Sequence, residues 1–289
     1  MDTASRIERA LAGALARTAG PGAPPRLRAA LDHAVFPGGA RIRPKLCLAV
    51  ALACGDRHPD LSDAAAAAIE LLHCASLVHD DLPCFDDAET RRGKPTVHRA
   101  YSEPLAVLAG DGLIVLAFET VAHGAVGVPH LLAPVLLTVA RAVGAPNGIV
   151  AGQAWESEPE VALAAYQQAK TGSLFAAATV AGATAAGAEG EAWRVLGERL
   201  GESFQIADDV LDACAKSEAI GKPVGQDALL GRPNAVHQLG LRGAIDHFDE
   251  LVAEAIGSVP DCPGAVQLRA QIALQTQRLL PKELPAHAA

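Results

Sequence analysis

Two clusters of aspartates constrain what this chain can fold into. The first occupies residues 80–87, with the sequence DDLPCFDD, and the second occupies residues 208–212, with the sequence DDVLD. Both adjoin apolar stretches with helical periodicity, where crowded carboxylates repel one another and cost several kcal/mol each unless they are neutralised. Mg²⁺ suits such oxygen-rich clusters because it takes one or two carboxylates together with phosphate oxygens. The pair of clusters therefore predicts a cavity in which Mg²⁺ is held against a diphosphate.

The composition favours helices over strands. Of the 289 residues, 50% are hydrophobic and only 3% are aromatic, so the packing must come from Ala, Leu, Val and Ile. Such residues suit close-packed helices better than a β-sandwich. Helical periodicity runs through almost every segment, and strand alternation is convincing nowhere. We expect one all-α domain over residues 1–289, built as a large antiparallel bundle with a central cavity, and a flexible tail at 281–289.

Turn residues divide the chain into long helices. Pro83 cannot continue the helix before the first cluster, so this cluster begins in a last helical turn and runs into a loop. The basic run 91–96 is interpreted as loop because of its Gly and Pro. The longer break 216–234 is also rich in Gly and Pro, and loops of this length are usually either functional or disordered. The predicted helices are 63–79, 105–123, 129–143, 163–188, 193–214, 235–256 and 264–280.

Charge and cysteine content argue against several other classes of protein. The net charge of −9 disfavours nonspecific binding to nucleic acid. The N-terminal residues are charged where a signal peptide needs an apolar core, and the uncharged stretches 121–140 and 171–188 are rich in small or helix-breaking residues. We therefore expect no stable membrane insertion. The six cysteines form no C-x-x-C pair, which predicts reduced, structural thiols in a cytoplasmic protein.

The spacing of the second aspartate cluster places two of its carboxylates on one side of a helix. Asp208 and Asp212 are four residues apart, so they share a helical face. A solvated acidic face is the alternative interpretation. The apolar neighbours within 204–211 favour a buried metal site instead.

A diphosphate also requires cations, and Arg recognises phosphate oxygens in a bidentate manner. An ordinary surface charge is the alternative for any one basic residue, but several lie beside Gly-rich turns or acidic residues. The candidates are Arg41, Arg43, Arg91, Arg92, Lys170 and Lys222. His73 lies two helical turns before Asp80 and on the same face, which favours a site role for it, whereas His79 is left undecided.

These motifs together resemble the trans-polyprenyl diphosphate synthases over essentially the whole chain. Residues 77–96 are similar to the first aspartate-rich motif and basic loop of that family, 204–212 to its second motif, and 38–44 to its isopentenyl-diphosphate loop. Three further matches follow in family order: Gly152-Gln153, Lys170-Thr171-Gly172, and Gly221-Lys222 with Asp227. The resemblance is closest to the short-chain bacterial members, especially the geranylgeranyl diphosphate synthases of carotenoid pathways.

The resemblance implies a homodimeric, Mg²⁺-dependent prenyltransferase that condenses isopentenyl diphosphate with allylic diphosphates. About three Mg²⁺ ions per site are implied, as this coordination chemistry allows. Their implied ligands are Asp80, Asp86 and Asp208, with Asp81 and Asp212 close behind. The implied partners of the allylic diphosphate are Arg91, Lys170 and Lys222. Those of isopentenyl diphosphate are Arg43, His73 and Arg92, while Gln205 lines the site. Thr171 and Arg232 are also expected to bind substrate.

Product length in this family depends on what blocks the apolar tail. A bulky aromatic residue five positions before the first Asp stops growth at C15, and a residue five positions up a helix is displaced by ~7.5 Å. Ala75 stands there in this chain and Ser76 follows it, so the tail is free to run towards Leu72. We therefore expect a C20 product, geranylgeranyl diphosphate.

Three departures from the family pattern accompany the resemblance. Ala40 stands where Lys is usual, Glu156 where Asp is usual, and Arg232 where a second Lys is common. A farnesyl diphosphate synthase is the main alternative. A terpene cyclase would have a different second motif, and a catalytically silent partner subunit would tend to lose an aspartate motif.

Overall fold

The computed structural model describes residues 2–36, 38–160, 163–214 and 234–280. Helices dominate these ranges, which confirms the all-α expectation. They are α1 (Thr3–Arg17), α2 (Pro25–Val35), α3 (Ile42–Ala53), α4 (Pro59–Asp80), α5 (Val97–Ala100), α6 (Glu103–Gly124), α7 (Leu132–Val143), α8 (Ile149–Trp155), α9 (Leu163–Gln167), α10 (Ser173–Ala185), α11 (Arg194–Cys214), α12 (Ala235–Gly257) and α13 (Ala265–Thr276). Short 3₁₀ turns occupy Pro129–Leu131 and Glu191–Trp193, and a π-helical turn occupies Gln168–Gly172.

The predicted helices agree with those observed to within a few residues at most ends. Helix α4 ends at Asp80, as Pro83 requires. The segment predicted as one helix over 163–188 differs, because the π-helical turn divides it into α9 and α10. The proposed tail at 281–289 and most of the break at 216–234 lie outside the described residues.

The basic run after the first cluster is a β-hairpin, and its prediction as loop is wrong. Strands β1 (Thr90–Arg91) and β2 (Lys94–Pro95) pair antiparallel, with Arg91 opposite Lys94. Arg92 and Gly93 connect them with φ values of 54° and 75°. Two consecutive residues with positive φ are the signature of the type I′ turn, whose twist matches paired strands. The strands are too short for their alternation to appear in the sequence.

One compact unit comprises Met1–Ala140 and Val180–Gly190. Helix α4 is its core element and packs against α1, α3 and most extensively α6. Its side chains are buried on nearly every face from Leu61 to Val78. Each fully buried Leu or Ile contributes about 1.5–3 kcal/mol relative to exposure, so the apolar body of α4 holds its acidic end in a fixed place.

A second compact unit comprises Arg141–Thr179 and Glu191–Ala289. Helix α11 packs on α12 through a cluster that includes Ile206, Val210 and Phe248. On another side, a Cβ at Gly201 would lie 3.0 Å from the Cα of Gly172. The missing side chain therefore lets α11 approach the π-helical turn closely. The expectation of a single domain over 1–289 stays a prediction.

Within the described ranges, two helices are long and apolar enough to cross a membrane by length and composition alone, namely α4 and α6. Their most apolar windows are 78% and 44% buried inside the protein, and core helices of soluble proteins commonly have this character. All six cysteines are free thiols. Cys84 is exposed within the first aspartate cluster, whereas Cys47, Cys54 and Cys74 are buried.

Candidate active site

The first aspartate cluster sits where α4 ends. Asp80 is the last helical residue and Asp81 follows as the C-cap. The turn then folds back, because the N–H of Asp86 donates to the carbonyl of Asp80 at 3.0 Å. This turn leaves Asp80 and Asp86 partly accessible to water, whereas Asp81 is only 3% exposed.

Asp81 is neutralised within the protein. The Nε of Arg91 lies 3.0 Å from its Oδ1, and the Nη2 of Arg91 donates to the same oxygen. Burial raises the pKa of the Asp81 carboxyl above its ordinary value, and the hydrogen bonds from Arg91 oppose this rise. The hairpin places Arg91 in this position, so its short strands also anchor the aspartate cluster.

Two glycines of the loop before α3 make room for guanidinium groups. A Cβ at Gly39 would lie 2.6 Å from the Cζ of Arg92, and one at Gly38 would lie 1.9 Å from the Cζ of Arg41. Real Cβ atoms do not approach so closely. A side chain at either position would therefore have to displace a guanidinium group.

Arg41 is committed to the interior rather than to a ligand. It is 6% exposed and forms ion pairs with Glu8 at 2.9 Å and Glu70 at 2.7 Å, and it also donates to the carbonyl of Val35. Glu70 on α4 is 2% exposed. Removing one member of such a buried pair is costly, because the other charge remains uncompensated. Arg41, a candidate diphosphate clamp in the sequence, thus joins the loop to α1 and α4.

His73, Arg43 and Arg92 lie in one neighbourhood, as the sequence predicted for an isopentenyl-diphosphate site. The Nη1 of Arg43 is 3.5 Å from the Nε2 of His73. Burial and then the charges of Arg43 and Arg92 lower the pKa of His73 well below its usual range. The imidazole is therefore neutral near pH 7. It adds hydrogen-bonding capacity to a cationic cluster without adding charge.

His79 and Ala40 have different surroundings. His79 packs on α6 where Gly110 leaves space for its ring, and its Nε2 lies 3.3 Å from the carbonyl of Val107. These contacts account for His79 as a packing residue. At Ala40, where the family pattern has Lys, the backbone carbonyl accepts a hydrogen bond from the Nζ of Lys45 at 2.7 Å.

The three residues associated with product length differ in exposure. Leu72 and Ala75 are each 1% exposed, so both are packed inside the unit. Ser76 is half-buried on the face that also carries His73 and Asp80, and its Oγ donates to the carbonyl of His73 at 2.9 Å. A side chain added at Ser76 would extend from this open face, whereas one added at Ala75 would enter the packed interior.

Lys170 and Thr171 lie in the π-helical turn of the second unit. The backbone approaches α8 so closely that a Cβ at Gly152 would lie 2.5 Å from the N of Lys170. The Lys170 ammonium is paired with Glu156, which also accepts a hydrogen bond from the Tyr166 hydroxyl at 2.7 Å. Such π turns occur frequently at functional sites. Glu156, which in the sequence is only a departure from the family pattern, is thus the carboxylate that fixes Lys170.

The second aspartate cluster divides its side chains between water and the interior. Asp208 is exposed and Asp212 half-buried, so the burial expected of Asp208 from its apolar neighbours is wrong. The buried member is Asp209, at 4% exposure, because a step of one residue turns a helix by about 100°. Gln205, half-buried one turn earlier, donates to Asp209 at 3.2 Å.

The donor chemistry of the accessible aspartates fits Mg²⁺. Among the described residues, no group of three His, Cys, Asp or Glu side chains is gathered closely enough to hold a metal ion. Mg²⁺ does not require such a cage, because it retains waters and shares phosphate oxygens with one or two carboxylates. Asp80, Asp86 and Asp208 have hard oxygen donors that water reaches. Lys222 and Arg232 lie outside the described residues, so their predicted roles stay predictions.

The polyprenyl synthetase family model matches residues 24–271. The chain belongs to the polyprenyl synthetase family. The expected family membership and prenyltransferase class are thereby confirmed.

Two curated proteins named geranylgeranyl diphosphate synthase are similar to this polyprenyl synthetase over their whole length. The protein from Cereibacter sphaeroides is 56% identical over 281 residues, which is 97% of this chain and 98% of the relative. That from Rhodobacter capsulatus is 54% identical over 289 residues, which is 100% of this chain and 99% of the relative.

A solved structure supports the same assignment for this polyprenyl synthetase. The geranyltransferase from Helicobacter pylori, complexed with magnesium and isoprenyl diphosphate, has a TM-score of 0.80 and 29% sequence identity. The match covers 96% of each chain. The described helices therefore have the fold of solved isoprenoid-forming enzymes.

The two loop glycines provide a matched test of the cationic cluster. Gly39→Ala displaces the end of a flexible side chain, Arg92, so we expect an unchanged melting temperature and a raised KM for isopentenyl diphosphate. Gly38→Ala instead disturbs the buried Arg41 pairs, and overpacking of this kind costs on the order of 1–3 kcal/mol. Thermal unfolding and steady-state kinetics of both variants check this. Equal destabilisation by the two changes would contradict the assignment.

Proposed function

We propose that this polyprenyl synthetase condenses isopentenyl diphosphate with allylic diphosphates and that its main product is geranylgeranyl diphosphate. The observation that carries the proposal is the full-length identity of 56% and 54% with two proteins of that name. The small side chains of Ala75 and Ser76 agree with it. The charged groups of both clusters are suited to a diphosphate, as the following steps describe.

We propose Asp80, Asp86 and Asp208 as the ligands of about three Mg²⁺ ions per site. In such an arrangement, each ion is bound by one or two carboxylates and by phosphate oxygens of the substrate. The magnesium complex of the similar geranyltransferase supports this use of the metal. Bound Mg²⁺ would stabilise negative charge on the departing diphosphate. Asp81 is not needed as a ligand, since Arg91 already neutralises it.

Lys170 and Arg91 are the proposed partners of the allylic diphosphate. Each is held in place by a carboxylate, Glu156 for Lys170 and Asp81 for Arg91. Both cations are thus preorganised, which lowers the reorganisation required when charge develops on a leaving group. As the allylic C–O bond breaks, its electron pair leaves with the diphosphate and a carbocation remains. We propose that Thr171 and Gln205 line this allylic site.

The second substrate is proposed to bind at Arg43, Arg92 and His73. These side chains orient isopentenyl diphosphate so that its C–C double bond attacks the carbocation and forms the new C–C bond. The adjacent proton is then lost, and the released diphosphate is the proposed acceptor. A neutral His73 suits this role because it donates to a phosphate oxygen or accepts from Arg43 without a change of charge.

We expect activity to require the accessible aspartates and a divalent cation. Asp80→Ala and Asp208→Ala should each reduce turnover by orders of magnitude while circular dichroism stays unchanged, because Asp80 is only half-buried and Asp208 is exposed. Asp249→Ala, which removes an exposed acid from α12, is the matched control and should retain activity. Full activity of the native enzyme in excess chelator would contradict the metal proposal.

Product length provides a separate test. The native enzyme should make mainly C20 from isopentenyl and farnesyl diphosphates, and Ala75→Phe should shift the product to C15. Ser76→Phe is the companion variant, because its ring would occupy the open face of α4 without overpacking the interior. Chromatography of the dephosphorylated products checks both. A native profile that stops at C15, with farnesyl diphosphate refused as a primer, would favour farnesyl diphosphate synthase instead.

We also propose that the chain forms a homodimer. Helix α6 has exposed apolar side chains at Val107, Leu108 and Val115, with exposures of 42%, 52% and 67%. An apolar patch of this kind on a soluble protein commonly marks an interface. Light scattering should give about twice the chain mass of 29.6 kDa, and Val115→Asp should shift it towards one chain. A native mass of one chain at micromolar concentration would contradict the proposal.

A further inference from the structure

A chain of three hydrogen bonds crosses the second unit through Asp209. The Thr171 hydroxyl donates to the Oε1 of Gln205 at 3.1 Å, and the Nε2 of Gln205 donates to the Oδ1 of Asp209 at 3.2 Å. The Oδ2 of Asp209 then accepts the backbone N–H of Ala235 at 2.7 Å. The chain thus connects the π-helical turn, α11 and the first residue of α12.

The end of this chain completes the cap of α12. The first N–H groups of a helix have no partner within it. The Oδ1 of Asn234 accepts those of Val236 and His237, at 2.8 and 3.4 Å, and Asp209 accepts that of Ala235. Asp209 therefore has a specific partner for each of its oxygens. The helical segment that receives these caps is short, because Gly240 interrupts α12 with non-helical φ and ψ values of 70° and 164°.

We propose that Asp209 is a positioning residue rather than a metal ligand. It fixes Gln205 and, through Gln205, Thr171 beside Lys170, and it holds the start of α12 in register with α11. Its neighbour Asp208 points to water and is the proposed ligand. The effect on substrate rests on the proposed function, whereas the effect on the start of α12 is independent of it.

Asp209→Asn distinguishes a positioning role from metal binding, because it removes the charge of the side chain but keeps both of its hydrogen bonds. Its Oδ1 accepts the Ala235 N–H and its Nδ2 donates to the Oε1 of a turned Gln205. The Nε2 of Gln205 then donates to the Thr171 hydroxyl, which is able to accept. All three hydrogen bonds survive: the two that involve Gln205 reverse their direction, and the Ala235 N–H still donates to position 209. A metal ligand, by contrast, would lose the negative charge on which coordination depends.

Asp209→Ala removes both hydrogen bonds of the carboxylate, and the alanine side chain has no polar group to replace them. A cavity of about 660 Å³ borders this region and is lined by Gln205, Asp209, Asn234 and Gln238 among others. Water entering from it is able to bond the freed N–H of Ala235, so we expect Asp209→Ala to fold. Loss of these buried hydrogen bonds should weaken binding about tenfold, which corresponds to about 1.4 kcal/mol.

The experiment compares Asp209→Asn and Asp209→Ala with Asp249→Ala as the control. We measure the KM for farnesyl diphosphate, the half-saturating Mg²⁺ concentration, and hydrogen exchange of the peptide covering 234–240. Asp209→Asn should stay within about threefold of the native enzyme in all three, because its hydrogen bonds persist. Asp209→Ala should raise the KM about tenfold and speed exchange at the start of α12, with the half-saturating Mg²⁺ concentration unchanged.

Two results would overturn the proposal. If Asp209→Asn is as impaired as the alanine variant and needs more Mg²⁺, the charge of Asp209 serves the metal. If Asp209→Ala leaves exchange at 234–240 unchanged, the carboxylate does not hold α12. Should Asp209→Ala fail to fold, Asp209→Asn alone decides between the two roles. An inactive native enzyme would refute the proposed function instead, and the exchange measurement would still test the cap.

Discussion

The requirement that a buried carboxylate has a partner inside the protein governs both aspartate clusters. Each begins with two adjacent aspartates, and in each the second of the two is buried. Asp81 receives Arg91, and Asp209 receives Gln205 and the N–H of Ala235. Because adjacent helical residues point about 100° apart, securing the second aspartate inside turns the first towards water. The interior pairing therefore sets the direction of Asp80 and Asp208.

The same principle separates the cations of the first unit into two groups. Arg41 forms ion pairs with the buried Glu70 and the partly exposed Glu8, whereas Arg43 and Arg92 lie near a neutral His73. A cluster of positive charge is costly unless an anion is shared among its members. The ion pairs of Arg41 with Glu8 and Glu70 hold the glycine loop beside α4 and stabilise the fold against this repulsion. The arginines proposed to bind a diphosphate are thus different from the arginine that stabilises the loop.

Much of the fold was predictable from the sequence because helical periodicity and Pro and Gly positions are local signals. Helix α4 and its end at Asp80 followed from an apolar run and Pro83, and the start of α12 followed from the end of the Gly- and Pro-rich break 216–234. The site was predictable in composition but not in detail. The burial of Asp209 rather than Asp208 depends on how α11 packs. The partners of Arg41 lie in α1 and α4, and no local pattern reveals such distant pairs.

The π-helical turn has a consequence for how this sequence tolerates insertions and deletions. A π turn holds one residue more than the α turn it replaces, so every later residue of α10 is out of phase by about 100° with the face that α9 presents. Deletion of a single residue between Gln168 and Gly172 would restore a continuous α-helix at little local cost. It would also rotate Lys170 away from Glu156 or Thr171 away from Gln205. At this turn, the number of residues is therefore constrained as strictly as their identity.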